Sequence, residues 1–249
     1  MNDLNRSILE VRNLNKSFRG LAAIRELNFD VPRGQLVGLI GPNGAGKTTL
    51  FNLITGVLRP TAGSILFDGQ SITGLNSWDI CKLGIARTFQ AGRPFANMTV
   101  YENVLVGIRY GREKRRLTQA ETREAIYRIL DLTGLAEKAD YPVRSLNLVD
   151  RKISELARSL ATRPAILLLD EPLAGLNPAD LKKAVDTIVE IKEREGVTVL
   201  WVEHVMKALM GACEHIIALS QGTKIAEGTP AEVTKNENVI AAYLGTKRG

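Results

Sequence analysis

The octet GPNGAGKT, Gly41 to Thr48, carries three glycines, a lysine and a threonine in the spacing G-x-x-x-x-G-K-[ST]. Gly41, Gly44 and Gly46 let the backbone curl so that successive N–H groups aim at one anion. Pro42, Asn43 and Ala45 complete the loop, and a helix opening near Lys47 adds its positive end. Lys47 then suits the β- and γ-phosphates, the Thr48 hydroxyl suits Mg²⁺, and Thr49 extends the same first turn. A second cluster, AILLLDEP, ends an apolar run in two carboxylates. Asp170 is placed to hold Mg²⁺, directly or through water, and Glu171 to polarise an attacking water. An acidic pair before a proline is common and means little alone. Downstream of a phosphate loop, it specifies hydrolysis of a nucleoside triphosphate.

Such chemistry needs a strand on one side of the loop and a helix on the other, and LVGLI before Gly41 and TTLFNLIT after Lys47 supply both. Strand patterns recur at Ile8–Leu14, Leu27–Val31, Leu36–Ile40, Ser64–Phe67, Ile85–Phe89, Ile166–Leu169, Val197–Val202, Ile216–Leu219 and Lys224–Ala226. Several are rich in Val, Ile and Leu without alternation, which predicts strands buried on both faces of a parallel sheet. From about Val100 to Leu160 the periodicity is helical instead, so an α/β core with a helical insertion is expected.

Composition excludes other classes. A hydrophobic content of 45% over 249 residues supports a full core rather than disorder. No apolar run approaches the roughly 20 residues that cross a bilayer, and MNDLNRS lacks the layout of a signal peptide, so a cytoplasmic chain is expected. Cys81 and Cys213 match no metal or redox spacing and read as reduced thiols. The net charge of +6 is mild; it could suit nucleic acid or an anionic membrane surface but carries little weight, and no nucleic-acid partner is expected. The basic run RYGREKRRL, Arg109 to Leu117, reads as a solvated face, with an anionic partner or lipid surface as the alternative.

The order GPNGAGKTT, ARTFQ, LLLDEP, AGLNP and WVEH resembles the ATP-binding subunits of ABC transporters across nearly the whole chain. More narrowly, LITGVLRPTAGSILFDGQSITGL, GIARTFQAGRPFANMTVYENVLVG and IAEGTPAEV are similar to the subunits of branched-chain amino acid importers and their urea and amide relatives. The resemblance implies one ABC ATPase domain over 1–249, with a mostly parallel core sheet and an antiparallel N-terminal β subdomain. It also implies a helical insertion over about 90–162 and a helical tail over 230–249. It implies ATP with Mg²⁺ as ligands, and a place on the inner face of the cell membrane. Its partners would be a second ATPase subunit, integral membrane permease subunits and, indirectly, a solute-binding protein. It further implies that Phe18 stacks on adenine, that Gln90 contacts Mg²⁺ and the attacking water, and that His204 meets the γ-phosphate. A core position is the competing reading of Phe18, and a cap or surface role that of His204; His215 reads as structural. Asn177 stands where many relatives carry Asp. The alternatives are the ATPase of a lipid or lipopolysaccharide exporter and a soluble ABC ATPase. The soluble kind usually needs a long coiled-coil insertion or two tandem ATPase domains, and the chain shows neither.

One stretch departs from the family's pattern. A glycine-containing LSGGQ-like motif, which closes over the partner subunit's ATP, should precede ELARSLA, but Leu146-Asn147-Leu148-Val149-Asp150 stands there. Asn147 replaces the serine, Leu148 and Val149 replace the glycines, and Asp150 replaces the glutamine. Side chains at the two bare positions should obstruct phosphate, and the Asp150 carboxylate should repel it. The sequence therefore predicts a heterodimer, in which another subunit supplies an intact motif to this chain's ATP. The helix that follows keeps an apolar stripe of Ile153, Leu156, Ala157 and Leu160.

Overall fold

The computed structural model describes residues 6–88, 94–112, 115 and 117–244. By internal contact the chain forms two compact units, one of 1–80 with 198–249 and one of 81–197.

The first unit opens with a hairpin of β1 (Ser7–Phe18) and β2 (Leu21–Pro32). Phe18 pairs with Leu21 across a two-residue turn whose Arg19 and Gly20 both have positive φ, at 47° and 89°. That handedness matches the twist of the flanking strands. β4 (Ala62–Phe67) and β5 (Gln70–Ser71) complete an antiparallel sheet in the order β2-β1-β4-β5. β3 (Leu36–Ile40) lies between β8 (Thr198–Val202) and β9 (His215–Ser220), parallel to both, and β10 (Thr223–Gly228) pairs antiparallel to β9. Every residue of β3 and β8 is buried, as runs without alternation require. Trp201 and Phe51 are the bulkiest fully buried side chains, and each such side chain contributes roughly 1.5–3 kcal/mol by leaving water. The helices of this unit are α1 (Lys47–Ile54), α7 (Met206–Ala212), α8 (Pro230–Lys235) and α9 (Glu237–Leu244), while α2 (Ser77–Leu83) runs across its boundary.

In the second unit β6 (Ile85–Arg87) and β7 (Ile166–Asp170) run parallel. Among the described residues four α-helices accompany them: α3 (Val100–Tyr110), α4 (Gln119–Leu132), α5 (Leu148–Leu160) and α6 (Pro178–Glu195). Thr99 with Glu102 and Thr118 with Glu121 form reciprocal capping boxes, which set where α3 and α4 begin. α3 packs against α5 through Gly107, where a Cβ would come within 2.3 Å of the Arg158 carbonyl oxygen. The predicted stripe of α5 is buried: Ile153, Leu156, Ala157 and Leu160 all lie in the core.

The structure revises several element bounds. β1 and β2 extend to the hairpin tip rather than stopping at Leu14 and starting at Leu27, because their cross-strand register continues past the irregularities near Val11, Leu14 and Lys16. Val197 is buried but precedes β8. β6 ends at Arg87, and Phe89 and Gln90 lie outside the described residues.

Candidate active site

The phosphate loop leaves β3 at Gly41 and enters α1 at Lys47. Gly41 has φ +153°, and a Cβ there would lie 2.3 Å from the Leu219 carbonyl oxygen, so a side chain is excluded both by conformation and by space. Gly46 is the N-cap of α1 and offers no side chain to its first turn, which holds no acidic residue either. A helix start without a side-chain cap or an acidic first turn suits an outside anion, with the helix dipole behind it. Asn43, Gly44 and Thr48 are exposed, Pro42 and Thr49 are half-buried, and Ala45 is buried. Lys47 is only 7% exposed, and its ammonium donates to the carbonyl oxygens of Gly41 at 2.5 Å and Pro42 at 3.1 Å. A buried ammonium must be hydrogen-bonded, so the cation is fixed at the mouth of its own loop.

Phe18 is 42% exposed at the hairpin tip, which removes the core reading of this ring. Lys16 Nζ sits 4.9 Å from its centroid and donates to the Arg59 carbonyl oxygen, which steadies the ring at its exposed position. His204 follows β8 and is exposed. Its backbone N–H donates to the carboxylate of the buried Glu203 at 3.0 Å, and α7 begins two residues later. His215 pairs with Glu227 at 3.0 Å between β9 and β10. The partnership holds the Glu227 carboxyl below the usual range, first through the His215 hydrogen bond and then through Lys224.

In the second unit, β7 delivers Asp170 and Glu171 into the interior, 1% and 7% exposed. One oxygen of Asp170, Oδ2, accepts from Arg87 at 2.6 Å in an ion pair whose two side chains are 5% and 1% exposed. The other, Oδ1, is buried and has no hydrogen-bond partner among the described residues. A carboxylate pinned by one oxygen and bare at the other fits a hydrated Mg²⁺. The Asp170 N–H donates to Thr88 Oγ1 at 3.3 Å, so β6 and the residue that follows it hold Asp170 by side chain and backbone alike. Sequence reasoning missed Arg87. The one available signal was an arginine inside the apolar strand pattern of β6, since an arginine there must be paired. Glu171 has φ +51°, an uncommon conformation for a residue with a side chain, and the strain is of the kind held at functional sites.

The departure motif behaves differently from its expectation in one respect. Asn147 is the N-cap of α5, and its side-chain oxygen accepts the Asp150 N–H at 2.8 Å. Asp150 is mostly buried and ion-paired to Lys138. Its charge is therefore partly offset within the chain, which lessens the expected repulsion of phosphate by Asp150. The steric expectation has its counterpart at Leu148, 45% exposed at the start of α5, with its Cδ2 close to Gly175. Asn177 caps α6, its side-chain oxygen accepting from the N–H groups of Ala179 and Asp180 at 3.0 Å each. Asn and Asp are both good caps, which gives a local reason for either residue here.

Residues 24–174 match the family model described as ABC transporter, and residues 223–248 match that described as Branched-chain amino acid ATP-binding cassette transporter. The chain is 40% identical to the high-affinity branched-chain amino acid transport ATP-binding protein LivG of Escherichia coli strain K12, over 97% of this chain and 99% of LivG. It is 33% identical to the lipopolysaccharide export system ATP-binding protein LptB of Haemophilus influenzae, over 96% of this chain and 98% of that one. Among solved structures, a nucleotide-free ATP-binding cassette from an ABC transporter superposes with TM-score 0.87 at 30% identity, covering 96% of this chain and all of the other. With a phosphate loop, an acidic strand end and relatives aligned over nearly their full lengths, the chain belongs to the ABC transporter ATP-binding proteins and is an ATPase of that kind.

Proposed function

We propose that this chain energises a branched-chain amino acid importer by binding and hydrolysing ATP on behalf of separate membrane subunits. The observation that carries the solute class is the tail. Residues 223–248 match the branched-chain amino acid model, and 40% identity to LivG against 33% to LptB points the same way. Among the described residues no helix is long and apolar enough to cross a membrane, so the translocation path belongs to other chains. We place the chain on the inner face of the membrane, with residues 90–162 as the helical insertion and 230–249 as the tail.

In this reading Phe18 stacks on adenine and the loop from Gly41 to Thr49 wraps the phosphates. Lys47 exchanges its loop carbonyls for β- and γ-phosphate oxygens. Mg²⁺ bound with the nucleotide would supply neutralising charge to the phosphates. Thr48, Asp170 and Gln90 would hold it. Glu171 aligns and polarises the attacking water, and His204 meets the γ-phosphate. Leu148 and Val149 make a poor lid for a second ATP, so the working pair is a heterodimer whose partner carries the intact motif.

The test is solute stimulation. The complex captured through this chain, placed in vesicles with its solute-binding protein, should hydrolyse ATP several-fold faster with leucine, isoleucine or valine. Stimulation by urea, a short amide or lipopolysaccharide, with no response to the three amino acids, would remove the assignment.

A further inference from the structure

The phosphate loop is braced from behind. Inside the loop, Ala45 N–H donates to the Pro42 carbonyl at 3.1 Å; from the β9–β10 turn, Gly222 N–H donates to the Ala45 carbonyl at 3.1 Å. The Leu219 carbonyl presses against the face of Gly41 that a Cβ would fill. A further tether comes from the end of the chain: Gly41 N–H donates to the Tyr243 hydroxyl oxygen at 2.8 Å. Tyr243 lies near the end of α9, and α9 also borders the cleft of about 500 Å³ that runs along Pro42, Asn43 and Gly44 through Asn238, Ala241 and Ala242. Gly41 is the residue at which the chain turns out of β3, and it is buried, so its N–H needs an acceptor to hold the turn. Tyr243 supplies one over a separation of 202 residues. Burial raises the phenol's pKa, with the Gly41 hydrogen bond partly opposing, so the hydroxyl stays neutral at physiological pH.

We propose that Tyr243 is a positioning residue for nucleotide binding: by holding the Gly41 N–H, the C-terminal helix keeps the phosphate loop in its binding shape. The idea rests on the loop being the ATP site. A loop that must find its shape on binding loses affinity to the cost of ordering, and a loop already shaped does not. Seating of α9 therefore sets ATP affinity, and whatever unseats the tail weakens nucleotide binding with every residue of the loop itself unchanged.

Tyr243→Phe separates this from mere packing, because it keeps the ring and deletes one hydroxyl on a side chain that is 43% exposed. In the full-length chain its ATP dissociation constant should rise about three- to tenfold, the worth of one hydrogen bond. The nucleotide-free melting temperature should fall by no more than about 4 °C. Hydrogen exchange at the Gly41 amide should accelerate. Tyr243→Ala should match Tyr243→Phe in ATP affinity if the hydroxyl carries the effect. Wild-type affinity and wild-type Gly41 exchange in Tyr243→Phe, with loss only in Tyr243→Ala, would overturn the proposal in favour of packing. Lys47→Ala serves as the control. If that variant also binds ATP normally, the loop itself is not the nucleotide site, and the failure lies there rather than in the brace.

Discussion

Glu171 and Asp170 are neighbours with different surroundings. Asp170 is committed, one oxygen to Arg87 and one bare. Arg87 makes no sense as a surface group at 5% side-chain exposure; its charge and that of Asp170 are affordable in the interior because they meet. Glu171 lies one residue beyond β7 at positive φ, which turns its carboxylate away from the path that strand geometry would give it. We expect Glu171→Gln to lower turnover in the assembled transporter by about 10²-fold or more, with ATP affinity within about twofold of the parent, since the amide keeps the shape and loses the base. Unchanged turnover would dismiss Glu171 from the mechanism. Phe18 was ambiguous as a letter in the sequence, an aromatic next to strand residues. Its position at the tip of a two-residue turn removes the core reading, because a hairpin end has no second layer to bury it.

At the scale of elements, α5 has a packing job that does not depend on phosphate. Its apolar stripe still fills the core of its unit, and its first turn still has a cap, a capped N–H and an ion-paired carboxylate, Asp150 with Lys138. The Asn147 cap serves the helix itself. Asn147→Ala should therefore cost about 1 kcal/mol of stability through the lost cap, a fall of roughly 2–4 °C in melting temperature. Turnover of the assembled transporter should stay within about twofold. Thermal melting and steady-state hydrolysis on the same preparation check both halves, and a large loss of turnover at wild-type stability would mean that Asn147 works on phosphate. α6 follows the same logic, with Asn177 at its N-terminus, Pro178 at its first position and Gly196 in the left-handed conformation at its end.

For the whole molecule the decisive matter is what a second copy would offer. Two copies of this chain would present Leu148 and Val149 to both nucleotides, whereas a partner with glycines in those places would cover the ATP held at Lys47. The purified chain should therefore be mostly monomeric and slow with ATP, and addition of its partner ATPase should raise hydrolysis. Lys47→Ala in this chain should then remove most activity of the pair. Sedimentation and turnover with and without the partner decide it: an ATP-dependent homodimer as fast as the assembled transporter would make LNLVD a working motif.

What the sequence determined alone was chemistry and strands whose parts are close along the chain. The phosphate loop, the acidic end of β7 and the non-alternating strands β3 and β8 are complete within eight residues or fewer, so local spacing and the flanking strand and helix suffice to read them. The N-cap at Asn147 is equally local, yet residue identity left it between two uses, because one amide can serve its own helix or a phosphate. The tertiary structure decided the rest. Arg87 reaches Asp170 across 83 positions and Tyr243 reaches Gly41 across 202, and no periodicity marks either partner. Lys138 offsets Asp150 in the same way, by a fold that brings a turn beside a helix start. Burial forces these pairings, because a charge or an N–H taken out of water must find a partner wherever the chain happens to pass.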